Sequence, residues 1–122
     1  MVIEDPALHD GRLRGIELTD DSGLLIKCST EDGIAVRIVG DGLVALMATD
    51  FKEGNIIFEV RISAADSDSE VALARLFGGH AGGIQKGNRV LSANGRLLEV
   101  ASSYGCELVA LFSGSIVVEP DV

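Results

Sequence analysis

The side chains able to do chemistry in this chain are few and scattered. His9 and Asp10 stand next to each other, a pair of the kind that metal sites use. A metal needs several such ligands, and the only other histidine is His80. The run Gly78-Gly79-His80-Ala81-Gly82-Gly83 invites comparison with phosphate-binding loops, and Lys86 and Arg89 follow it. Neither G-x-x-x-x-G-K-[ST] nor G-x-G-x-x-G occurs there, so the run reads as a flexible connector. A loop closing over an anion with Lys86 and Arg89 beside it is the alternative. No G-x-S-x-G elbow is present. Cys28 and Cys106 lie inside apolar stretches and read as small buried hydrophobes, with a disulfide or a reactive thiol as the other options. The acids concentrate at turns, as Asp20, Asp21, Asp32 and Asp41 do, where solvated carboxylates are ordinary. Catalysis is therefore not expected, nor is any cofactor or metal.

At 122 residues, 47% of them hydrophobic, the chain suits one domain with a core rich in Leu, Val, Ile and Ala and poor in rings. That hydrophobicity excludes disorder. No apolar run reaches the roughly 18 residues of a membrane span, and the first residues lack a basic-then-apolar leader, so a cytoplasmic protein without a membrane role is expected. The net charge of −9 comes from the first 70 residues, which hold fifteen acids and six bases; the remainder holds four of each. The sign disfavours nucleic acid, which needs a concentrated positive field. Between Val71 and Leu98 the only charges are Arg75, Lys86, Arg89 and Arg96, a small basic island.

The elements that must position these residues are mostly strands. Extended stretches are expected at 13–18, 24–29, 34–39, 43–48, 56–62, 89–93, 96–101, 106–112 and 116–119, separated by turn residues. In the clearest of them Ile56, Phe58, Val60 and Ile62 are expected on the dry face, with Glu59 and Arg61 on the wet one. Asn94-Gly95 reads as the turn of a hairpin, because both residues tolerate positive φ. The strands that flank it are apolar on both faces, which leaves their inward side undetermined. One short helix is expected over about 69–78, capped by Ser69, with Leu73, Leu76 and Phe77 on one stripe. The expected fold is mainly β: an antiparallel β-sandwich or open barrel of about eight short strands with that one helix.

Tyr104, the only tyrosine, precedes Cys106 by two residues, as in the tyrosine corner of immunoglobulin-type sandwiches, but the chain has no Trp to complete that pattern. Its hydroxyl is expected on a nearby backbone group, or else the ring serves recognition at a strand end. Three fragments carry a further resemblance: His9-Asp10-Gly11 with Leu13 and Ile16, Asp50-Phe51 with Glu53-Gly54-Asn55-Ile56-Ile57, and Ser103-Tyr104-Gly105. Together they resemble small all-β bacterial proteins, some of them immunity proteins carried beside toxins. The resemblance implies a binding role and no catalytic residue. The expectation is thus a non-enzymatic domain acting through protein contact, with a partner or as a homodimer. The alternative is an anion- or small-ligand-binding domain using the Gly78–Gly83 loop, Lys86, Arg89, Tyr104 and, at the N-terminal end, His9 and Asp10.

Overall fold

The computed structural model describes residues 1–65 and 69–121. Within them the chain forms β1 (Arg12–Leu18), β2 (Leu24–Ser29), β3 (Ala35–Gly40), β4 (Leu43–Thr49), β5 (Asn55–Ser63), α1 (Ser69–Leu76), α2 (Ala81–Ser92), β6 (Arg96–Tyr104), β7 (Glu107–Phe112) and β8 (Ile116–Pro120). The strands make one antiparallel sheet in the order β4-β7-β6-β5-β1-β2-β3-β8, not closed into a barrel. The mainly-β expectation holds.

The sheet folds over at its middle. β1 and β5 pair only at Arg12–Ile56 and Leu13–Asn55, whereas every other neighbouring pair runs for five or more positions. Two four-stranded halves thus share a short seam and turn their apolar faces toward each other. Leu24, Ile26, Cys28, Val36 and Ile38 from one half meet Ile57, Val60, Leu98, Val100, Leu108, Ala110 and Phe112 from the other in one buried cluster. The N-terminal segment fills the gap where β1 leaves β5. Ile3 N–H donates to Val60 O, Ile62 N–H to Met1 O, and Asp10 N–H to Ile57 O.

Alternation along β6 and β7 explains why both of their faces are apolar. Leu98, Val100, Leu108, Ala110 and Phe112 point between the halves, while Leu97, Val109 and Leu111 point outward beneath α1 and α2. The two helices cover only this part of the outer face, packing with Val44, Met47, Ala72, Leu73 and Leu91.

Four expectations change. Residues 89–93 are not a strand; they are the last turn of α2, which begins at Ala81 inside the glycine run. Glycines oppose a helix, but here they permit close packing. A Cβ at Gly83 would meet the Phe77 ring, and one at Gly87 would meet Leu73. Tertiary burial therefore overrides a propensity loss of about 1 kcal/mol per glycine. Asn94-Gly95 consequently ends a helix and does not turn a hairpin. Asn94 takes φ 68° and Gly95 N–H donates to Val90 O, closing the last turn. On β5, irregularities between Ile56 and Glu59 shift the alternation by one. Ile57 is buried, and Phe58, expected inward, is 49% exposed. Val60 is buried and Ile62 packs on the core, as expected. At α1, Ser69 is already helical, and the polar residues 66–68 before it lie outside the described residues.

Where β3 crosses β7, Gly40 lies against the Phe112 ring, and a Cβ there would overlap three ring atoms. Gly40→Ala should lower the unfolding free energy by about 1–3 kcal/mol through overpacking. Gly15→Ala, with no neighbour closer than 4.0 Å, should stay within about 0.5 kcal/mol of the parent. Denaturant unfolding of the two variants checks the pair.

Candidate functional site

The two residues nearest to a chemical dyad are held by the turn into β1. Asp10 adopts φ 62°, and Gly11 N–H donates to Leu8 O, so the chain reverses there as the Asp-Gly pair leads one to expect. His9 Nδ1 donates to Phe58 O at 2.7 Å, its ring meets the Phe58 ring edge-on at 5.6 Å, and Nε2 faces Asp10 Oδ2 at 3.5 Å. This imidazole is oriented, but the groove beside it is lined by Val2, Ile3, Ala7, Leu8 and Phe58 with the carboxylates of Glu4 and Glu59, and it offers no nucleophile. His80 is engaged elsewhere as the N-cap of α2, where Nδ1 accepts from Gly83 N–H at 3.2 Å. Among the described residues, no three His, Cys, Asp or Glu side chains converge as metal ligands.

The remaining expected site residues do not assemble. Lys86 and Arg89 lie on the exposed face of α2. Tyr104 ends β6, eight residues beyond Arg96, or about 26 Å along the strand. Its hydroxyl makes no hydrogen bond among the described residues. Instead, Lys52 Nζ lies 5.3 Å from its ring centroid, a cation–π contact. Arg75, another part of the basic island, pairs with Glu107 at 2.6 Å, and Arg96 donates to the carbonyls of Asn94 and Gly95.

A different cationic surface lies at the seam. Arg12 and Arg14 flank buried Leu13 on β1, and Lys27 lies between buried Ile26 and Cys28 on β2, so all three point away from the core. Arg14 is the extra residue where β1 bulges against β2, and its Nε donates to Ser29 Oγ at 3.0 Å. Ser29 itself is 3% exposed. Arg12 makes no hydrogen bond or ion pair among the described residues. A cleft of about 430 Å³ opens over these groups, lined by Asp10, Arg12, Arg14, Ser29, Thr30 and Glu31 together with Gly33 and Ile56. A second cleft lies across Arg12 and Arg14, walled by Phe51, Lys52 and Glu53. The alternation Arg12-Leu13-Arg14 was the available signal for this surface, but the acidic total of the first 70 residues hid it.

One buried side chain holds this region together. Asn55 Oδ1 accepts from Lys52 N–H at 2.8 Å and from Cys106 N–H at 2.9 Å, and Nδ2 donates to Leu13 O at 3.3 Å. Gly105 passes so close, at φ 85°, that a Cβ would strike Asn55 Oδ1. Farther along the outer face, Glu99 lies opposite Arg61 on β5, which also meets Glu59 at 3.3 Å. Burial raises the Glu99 carboxyl above its ordinary range, opposed by Arg61 and Arg75.

Both cysteines are buried and free. Burial pushes the Cys28 thiol up from 9.0 to about 12, and burial also raises Cys106. Neither thiol is a poised nucleophile. Both should resist Ellman's reagent near pH 8 until the protein unfolds. An unfolded Cys28 ionises near 9 while the folded one keeps its proton. Stability should therefore fall as pH rises from 9 toward 12, and fall less in Cys28→Ala, as denaturant titrations at each pH would show. No protein-family model matches the chain, and no curated protein or solved structure does either, so its function is read from its own geometry.

Proposed function

We propose that this chain is a non-enzymatic β domain that works through protein contact, and that the free edge of β4 pairs with a second copy of the chain. The observation that carries this reading is the edge itself. β4 is terminal in the sheet, runs seven residues as Leu-Val-Ala-Leu-Met-Ala-Thr, and contains no charge and no proline. Sheet edges ordinarily bear such guards, because unpaired N–H and C=O groups recruit other strands. Leu46 is 36% exposed there, and α1, packed over β4 and β7, exposes Val71. An uncharged strand gains nothing from a charged partner, but its antiparallel pairing with itself places apolar against apolar about a two-fold axis. The charges of a −9 chain then remain in solvent.

A second reading, an inhibitor of a basic protein as the immunity-protein resemblance implies, is favoured by the exposed acids Asp20, Asp21 and Asp41. They gather at one end of the molecule, where Leu43 N–H donates to Ser22 O and joins the two turns.

Light scattering from roughly micromolar to millimolar concentration tests the self-pairing. The wild-type chain should reach twice its monomer mass. Ala48→Lys should raise the dissociation constant at least about tenfold by setting a charge on the apolar pairing edge, and Ala48→Ser should not. A strict monomer throughout, or a dimer indifferent to Ala48→Lys, rejects the β4 interface.

A further inference from the structure

The geometry points to an oxyanion-binding site in the cleft between β1 and the β2–β3 turn, built on Arg12 and Arg14 and independent of pairing at β4. Nineteen acids outnumber ten bases in this chain, so a guanidinium without a carboxylate partner is unexpected. Among the described residues four other bases have carboxylate partners: Arg37 with Glu119, Arg61 with Glu59, Arg75 with Glu107 and Lys52 with Asp50. Arg96 is held by backbone carbonyls, and Lys27, Lys86 and Arg89 stand exposed. Among the described residues Arg12 and Arg14 make no carboxylate pair, although Asp10 and Glu31 line the same cleft. The Asp10 carboxylate is turned to His9 instead.

The site is preorganised on its inner side. Ser29 is buried and fixes Arg14 through Nε, which leaves both terminal nitrogens of the fork for a ligand. A fork held in this way matches two oxygens of a carboxylate or phosphate in parallel. Arg12 is two residues away on the same face and supplies a second fork. Lys27, opposite Gly15 in the ladder, adds positive charge to that face. Ile56 gives the cleft an apolar wall, and about 430 Å³ falls within the range of small-molecule sites. Asp10 and Glu31 at the rim oppose an extended polyanion and favour a compact one. The ligand class is therefore a small organic oxyanion, a phosphate monoester or a carboxylate, whose charged end lies between the two guanidiniums and whose body rests on Ile56.

Titration of the full chain with inorganic phosphate, phenyl phosphate and benzoate, followed by amide chemical shifts, tests the assignment. At least one probe should give saturable shifts at Arg12, Arg14, Ser29 and Thr30, with a dissociation constant of about 1 mM or below. Phosphate-bearing probes alone would identify a phosphate site, and benzoate alone a carboxylate site. Arg12→Gln removes an exposed side chain that has no partner among the described residues, so the fold should be intact while affinity falls at least about tenfold. Arg14→Lys keeps the charge, loses the fork and should weaken binding as well. Lys86→Gln should change nothing. Absence of saturable shifts with every probe up to roughly 10 mM, or binding that Arg12→Gln leaves intact, overturns the site.

Discussion

The junction of the two half-sheets is a narrow seam, and a single buried amide reinforces it. β1 and β5 share two ladder positions, continued by backbone bonds from Asp10 N–H to Ile57 O and from Ile57 N–H to Gly11 O. Asn55 adds one side-chain bond across the seam, to the Leu13 carbonyl of β1, and ties two segments of its own half together through the Lys52 amide before β5 and the Cys106 amide between β6 and β7. It is 1% exposed. The Leu13 carbonyl and the Cys106 amide would lose this partner in a buried environment if the amide were removed, and a buried unmade hydrogen bond costs about 1–3 kcal/mol. The apolar cluster between the halves needs this registration, because Gly40 and Phe112 fit only at one separation.

The same clamp positions the surface where the chain has unspent charge. Anchoring Leu13 places Arg12 and Arg14 outward on either side of it. Anchoring the Lys52 amide places that side chain over Tyr104. Cations and aromatics gather at the seam because the sheet has to be sewn there and the flanking residues have to point away from the core. The helices serve the opposite end of the same half, filling the outer face of β6 and β7. They leave uncovered the edge of β4, which the proposed self-pairing would use. The two surfaces lie on different halves of the fold, so an anion at the seam and a second chain at β4 can be accommodated together.

Most strands were legible because alternation and turn residues coincide, as at Leu24–Ser29 and Leu43–Thr49. Misreadings arose where tertiary packing redirected a local signal. Gly83 and Gly87 read as loop residues, yet their lack of side chains is what lets α1 and α2 touch. Asn94-Gly95 accepts positive φ equally well in a hairpin or at a helix end, and only the packing of Leu91 decides between them. On β5 a bulge moved Phe58 into solvent beside His9, an irregularity that period-two reasoning cannot contain. Lys86 and Arg89 share the exposed face of α2 while Tyr104 lies at the end of β6, and Arg12, Arg14 and Lys27 converge only after β1 and β2 pair.

Native-state hydrogen exchange at the Cys106 amide measures the clamp directly, since that N–H donates to Asn55 Oδ1. If the buried Asn55 clamp is part of the cooperative core, this amide exchanges only through global unfolding and follows the same denaturant dependence as the amides of Leu98 and Ala110. Exchange through local opening, at the rate of a turn amide such as Gly54, would contradict the account.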